Sequence, residues 1–173
     1  VAGIVDAFQE QGLKCFGPTR AAAQLEGSKA FTKDFLARHH IPTAAYGTFS
    51  DLAEARSYLH KVGTPIVIKA DGLAAGKGVI IAEDMQSAEA ALSAMLSGNS
   101  FGAAGHRVAI EEFLQGEEAS FIVMADGAHI LPMASSQDHK AAHDGDTGPN
   151  TGGMGAYSPA PVVTPEMHQR IMD

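Results

Sequence analysis

The sequence predicts the α+β class on three observations. Residues 44 to about 106 alternate strand-like and helical runs, "EASFIVMAD" and "HILPMASS" then follow as neighbouring strands around a Gly127 turn, and "PIVIKADGLAAGKGVIIAED" joins two apolar runs through a glycine-rich loop. At 173 residues the chain can bury a core in one domain or two small ones. Apolar residues make up 45% and charged ones 18%, the balance of a folded protein rather than a disordered one.

The first element is a helix in "VAGIVDAFQEQG", with Ile4, Val5 and Phe8 on one face and Gly12 as its stop. "LKCF" then reads as a short strand reaching the Gly17-Pro18 turn. Thr19 is placed to cap "RAAAQLE", and Ser28 to cap a helix carrying Phe31, Phe35 and Leu36 that "HHIP" ends. A strand in "AAYGTF" precedes the helix "DLAEARSYLHKV", for which Ser50 is the expected N-cap and Gly63 the C′ residue. "PIVIKA" and "GVIIAED" are strands, "MQSAEAALSAMLSG" is a helix, and "HRVAIEEFL" is a further strand. Residues 137–161, rich in Gly, Pro, Asp and Asn, read as a long working loop, after which Pro165 opens a last helix. A start without Met inside a helix, and an end with no helix stop signal, are expected of a piece of a longer protein.

The formal net charge of −8 argues against a broad basic footprint and therefore against nucleic acid as a partner. Cys15 has no second cysteine to pair with, and there is neither a signal-peptide pattern nor an apolar run of about 18 residues. The expectation is a reducing cytoplasmic location and no membrane partner.

The loop between Pro65 and Asp84 carries two lysines and invites a phosphate reading. A P-loop needs four residues between its first glycine and the Gly-Lys pair, then Ser or Thr. Here Gly72 and Gly76 bracket three residues, and Gly78 follows Lys77. The dinucleotide fingerprint fails too, because a strand rather than a helix follows the glycines. What remains is a β-hairpin whose tip could turn its amides toward phosphates, with Lys69 on the rigid strand and Lys77 on the tip. The same residues also fit a plain surface turn with solvated lysines.

Three further features favour a ligand. "IEEFLQGEEASF" gathers carboxylates around one strand-turn-strand step, either as an acidic rim or as a site where the backbone at Glu112 to Leu114 meets adenine and Glu118 accepts from ribose. Lys29 sits in the first turn of its helix, where a cation opposes the macrodipole unless an anion joins it. "GPNTGGMGAYSP" carries glycines that permit either close approach or sharp turns, and Asp138, His139, Lys140 and Asn150 crowd the same segment. His139 and His143, with Asp138, Asp144 and Asp146 near, have the spacing of zinc ligands on a helix. The sequence "DGDTGP" breaks such a helix, so solvated histidines are the simpler reading.

Taken together, "GPTRAAAQLEGSKAFTKDFLARHHIPT", "PIVIKADGLAAGKGV", "IEEFLQGEEASFIVMADG" and "SQDHK" followed by "DTGPNTGGMGAYSPAP" resemble the phosphoribosylamine–glycine ligase family, ATP-grasp enzymes of purine biosynthesis. The resemblance covers essentially the whole chain, and its segment "TGPNTGGMGAYSP" is highly specific. It implies an ATP-grasp fold in which residues 1–43 end an N-terminal α/β domain, 44–109 form the lid subdomain, and 110–173 begin the second ATP-grasp subdomain. It implies a reaction in which the carboxylate of glycine attacks the γ-phosphate of ATP, and the amine of 5-phosphoribosylamine displaces phosphate from glycyl phosphate.

By matching position, Lys29 and Lys69 would hold ATP phosphates, and a loop bearing Gly72, Gly76, Lys77 and Gly78 would close over them. Glu111, Glu112, Phe113 and Leu114 would form the adenine hinge, with Glu118 on the ribose. Asp138, Lys140, Asn150, Thr151, Gly152 and Gly153 would lie on the glycine and phosphoribosylamine side. Two departures accompany the resemblance. Ala141 stands where the family usually places Arg, which removes a possible phosphate-binding guanidinium. The family's Mg2+ or Mn2+ would take its Glu and Asn ligands from further along than Asp173, so no metal site is assigned and the 173 residues alone are expected to be inert. Another carboxylate–amine ligase, or a noncatalytic nucleotide-binding module, is the alternative.

Overall fold

The computed structural model describes residues 1–72, 78–97, 106–145 and 147–173; of Pro149, Asn150 and Met154 it describes the backbone alone. They form two compact units, Val1–Leu114 and Gln115–Asp173.

The first unit opens with helix α1 (Ile4–Glu10). "LKCF" is not a strand. The Leu13 N–H turns back to the Phe8 carbonyl at 2.9 Å, and Phe16 is exposed. An apolar run becomes a strand only where a neighbour takes its backbone groups, and no described residue does so here. Helix α2 (Gln24–Gly27) is a single turn, and Thr19 closes the turn before it by accepting from the Ala22 N–H at 3.3 Å. Helix α3 (Lys29–Arg38) begins as expected, with the Ser28 hydroxyl accepting from the Phe31 N–H.

Strands β1 (Tyr46–Phe49), β2 (Ile66–Ala70), β3 (Val79–Ala82) and β4 (Val108–Glu112) form one antiparallel sheet in the order β1-β4-β2-β3. The expected hairpin is present, with Ile66 opposite Ala82 and Lys69 opposite Val79. Helices α4 (Leu52–Val62) and α5 (Met85–Leu96) cover one sheet face. There Ile66, Ile68, Val108 and Ile110 pack on Leu59, Leu92 and Met95. Side chains alternate across a strand, so the residues between them point to the other face. Register places Lys69 opposite Ala109 and Val67 opposite Glu111, which makes Lys69 and Glu111 diagonal neighbours on that second face.

The N-cap of α4 is Asp51, not Ser50. The Asp51 carboxylate accepts from the N–H groups of Ala53 and Glu54 at 2.8 and 2.9 Å, and an ionised acceptor next to the helix dipole outcompetes a hydroxyl one residue earlier. Gly63 ends α4 at φ 80°, a conformation that costs a residue without a Cβ little. Asp51→Ala should therefore lower stability by about 1 kcal/mol while Ser50→Ala changes it by a few tenths at most, as measured by urea unfolding.

In the second unit, β5 (Val123–Ala125) and β6 (Ile130–Pro132) form the expected antiparallel hairpin. Residues 137–161 depart from a long loop. Most of them form a second antiparallel pair, β7 (Gln137–His143) with β8 (Thr147–Tyr157). Neither strand shows apolar alternation, because backbone pairing rather than a buried face holds them, and so the pattern that marks a strand was missing. Gly148 belongs to the turn side of this pair at φ 86°, where a Cβ would lie 2.5 Å from the His143 ring. Helix α6 (Pro165–Met172) starts at Pro165 with Thr164 as its cap. No helix among the described residues is long and apolar enough to cross a membrane.

Candidate functional site

On the second face of the first unit's sheet, Leu25, Glu26, Lys29, Thr32, Lys33, Lys69 and Glu111 line a cleft of about 220 Å³. Three ammonium groups face two carboxylates there, a positive balance inside a chain of net charge −8. Lys29, from the first turn of α3, donates to the Gly72 carbonyl at 2.9 Å. Lys69, from β2, donates to Glu111 Oε2 at 2.9 Å.

The base of the β2–β3 connection is tied to α3 through Asp71. Its carboxylate accepts from the Ser28 hydroxyl and the Ala30 N–H, both at 3.1 Å, and from Arg107 Nε at 2.8 Å. Burial alone would raise this carboxyl, but Arg107, the Ala30 amide and Ser28 overcome it and hold it below its ordinary value. Asp71 and Arg107 were missed in the sequence, because the pair is 36 residues apart and only strand pairing brings it together.

Lys33 was missed as well. Its ammonium lies 2.8 Å from the same Glu111 oxygen that Lys69 contacts, and only 7% of the residue is exposed. One signal was available: Lys33 follows Lys29 by four positions, which places both on one helix face.

Beyond β4, the expected adenine hinge is partly engaged. The Glu112 N–H donates to the Ala45 carbonyl at 2.8 Å, and its carboxylate accepts from the Ala45 N–H. The backbone of Phe113 and Leu114, past the end of the strand, is what such a contact could use. Gly78 accepts from the Ala70 N–H at 2.8 Å, closing the hairpin. Gly76 and Lys77 lie outside the described residues.

In the second unit, three of the expected site residues form one ion cluster. Lys140 Nζ is 2.7 Å from Asp138 Oδ2 and 2.9 Å from Glu118 Oε2. The two carboxylates, Asp138 foremost, raise the Lys140 ammonium above its ordinary value, and Lys140 in turn holds Asp138 below its own. Between the pairs His139–Gly155 and Ala141–Asn150, two steps on β7 are matched by five on β8, so Thr151, Gly152 and Gly153 stand on a bulge. The Thr151 hydroxyl donates to the carbonyls of Lys140 and Gly153.

A Cβ on Gly152 or Gly153 would meet nothing within 4 Å among the described residues, and neither has a left-handed φ. The described residues therefore do not themselves require glycine at either position. His139 and His143 lie on a bulged strand rather than a helix, His139 stacks on Tyr157 at 5.3 Å, and Asp146 lies outside the described residues. Among the described residues, no three His, Cys, Asp or Glu side chains converge to hold a metal ion.

The antiparallel sheet, its β2–β3 hairpin and the lysine-lined cleft beside them belong to an ATP-grasp domain, the class that the matching family model names. D-alanyl-alanine synthetase A from Vibrio cholerae shares this fold at a TM-score of 0.74 and 15% identity, over 98% of this chain and 51% of that one.

The chain belongs to the family described as phosphoribosylglycinamide synthetase, ATP-grasp (A) domain, whose model matches residues 27–173. It is 72% identical to the phosphoribosylamine–glycine ligase of Allochromatium vinosum over 99% of its own length and 40% of the relative's. The crystal structure of the phosphoribosylamine–glycine ligase of Thermotoga maritima matches at a TM-score of 0.80 and 37% identity, covering 91% of this chain and 41% of that one. The chain thus spans about 40% of the length of the curated relatives it matches.

Proposed function

We propose that this chain is the ATP-handling part of a ligase that joins glycine to 5-phosphoribosylamine, giving glycinamide ribonucleotide, ADP and phosphate. The observation that carries the reading is the convergence of Lys29 and Lys69 on one cleft at the base of the β2–β3 hairpin. Membership in the family supplies the reaction. A glycine carboxylate oxygen bonds to the γ-phosphorus as the bond to ADP breaks. The phosphoribosylamine nitrogen then bonds to the glycyl carbonyl carbon, phosphate departs, and the nitrogen loses a proton.

In this proposal Lys29 and Lys69 neutralise oxygen charge on the transferring phosphate, from positions set by a helix and a strand before the ligand arrives. Gly72 to Gly78, with Lys77, form the cover. Phe113 and Leu114 offer backbone groups to adenine, and Glu118 offers a carboxylate to ribose. Residues 44–109 act as the lid, and 110–173 begin the second ATP-grasp subdomain. Asp138, Lys140, Asn150, Thr151, Gly152 and Gly153 meet the glycine and phosphoribosylamine. Among the described residues no three His, Cys, Asp or Glu side chains converge, so none of the roles proposed above is that of a metal ligand. The location proposed for the reaction is the cytoplasm.

The test is ADP release by the full-length protein, with glycine and phosphoribosylamine each omitted in turn and with other amino acids in place of glycine. Release that needs both substrates supports the proposal. Release with a different amino acid points to another carboxylate–amine ligase, and nucleotide binding without release points to a noncatalytic module.

Gly152→Ala separates fold from function. Open space at its Cβ predicts unchanged or slightly raised stability, by up to about 0.5–1 kcal/mol, because glycine in a strand interior is unfavourable. If ligand atoms use that space, the KM for glycine or phosphoribosylamine should rise by roughly an order of magnitude or more. Steady-state kinetics beside thermal unfolding reads both quantities.

A further inference from the structure

We infer that Lys33 is a positioning residue: it serves as the standing counter-charge of Glu111, so that Lys69 is free to leave that carboxylate for a phosphate. The inference rests on the ATP reading above and assigns a role to a residue which that reading does not use.

Glu111 is 5% exposed, and its Oε2 atom accepts from two ammonium groups, Lys33 at 2.8 Å and Lys69 at 2.9 Å. The two lysines are not equivalent. Besides Glu111, Lys33 donates to the Thr43 hydroxyl at 2.8 Å and the Ala44 carbonyl at 3.3 Å. An ammonium has three donors, and these acceptors use them all. The Tyr46 ring lies 5.7 Å from Lys33 Nζ, and its hydroxyl is held by Asp34 at 2.8 Å. Lys33 is thus fixed and has no donor left for a ligand.

The Lys69 side chain is 29% exposed, and its described partner is Glu111. Two of its donors remain for cleft occupants. If Lys69 turned to a phosphate and Glu111 had no other partner, a buried carboxylate would be left uncompensated, an arrangement that is strongly destabilising. Lys33 removes that cost. Glu111 therefore orients Lys69 in the cleft without locking it there.

The experiment uses the full-length protein carrying Lys33→Met, Glu111→Gln, or both. Binding of a fluorescent ATP analogue is measured, together with acetylation of Lys69 in the ligand-free protein by mass spectrometry. Lys33→Met should weaken nucleotide binding by about tenfold or more and slow Lys69 acetylation about threefold or more, because Lys69 becomes the one ion partner of Glu111. Adding Glu111→Gln should return both to within about threefold of wild type, a rescue that loss of packing at Lys33 would not show.

Wild-type values in Lys33→Met, or no rescue in the double variant, overturn the inference. Should Lys33→Met not fold alone, Glu111→Gln is compared with the double variant. Equal values support the role, and a further loss overturns it. If the wild type binds no nucleotide, the ATP reading fails. The Lys69 acetylation ratio then decides the Lys33 relation alone, a fall supporting it and no change overturning it.

Discussion

Lys69→Ala in the full-length protein is expected to lower ATP-dependent turnover by about 10²–10³-fold, the effect typical of removing one preorganised charge from developing negative oxygens. The side chain stands on a paired strand between two neighbours, opposite Val79 on one side and Ala109 on the other. Its Cα is therefore placed before any ligand arrives, and little reorganisation is left for the moment of transfer. The fold should survive, because Glu111 keeps Lys33 as its ion partner when Lys69 is gone. The discriminating result is turnover lost while the melting temperature stays within a few degrees of wild type. Turnover retained within about threefold would return the β2–β3 hairpin to a plain surface turn.

Asp71→Ala is expected to act on stability first. The carboxylate joins the end of β2, the start of α3 and the start of β4 through Ser28, Ala30 and Arg107. Arg107 is about half exposed, which limits its share, so the loss should be about 2–4 kcal/mol, mostly from the unmade bonds at the α3 terminus. The pH dependence follows from the direction of the shift. The folded-state value is depressed below 3.8, so this stabilisation is fully present above that pH and is lost as pH falls through the lower folded value. Urea unfolding between about pH 2 and 5 should show a steeper acid decline in the wild type than in Asp71→Asn. Equal slopes would remove Asp71 from the acid response. Because Asp71 also fixes the helix that carries Lys29, Asp71→Asn should raise the KM for ATP.

Elements governed by local chemistry were legible in the sequence. Ser28 caps α3, Pro165 opens α6, Gly63 ends α4, and the β2–β3 hairpin lies where glycines separate two apolar runs. The cap and stop signals involve neighbours within about five residues, and the hairpin pairs strands no more than 16 positions apart. The failures involved competition or partners. Asp51 displaced Ser50 because two adjacent residues could both cap and the charged one accepts more strongly. "LKCF" lacked a partner strand among the described residues, and "QDHKAAH" found one without any apolar alternation to announce it.

The candidate site divides in the same way. Lys29 and Lys69 could be singled out from their places on a helix start and a strand end, and the family followed from "TGPNTGGMGAYSP" and its companion motifs. The sequence by itself determined the α+β class, the hairpin, the lysines beside it and the family. Only the tertiary structure decided that Lys33 and Lys69 share Glu111, and that Asp71 meets Arg107. Those pairs span 78, 42 and 36 residues, and their charges become neighbours only after sheet register and helix packing have removed the water between them.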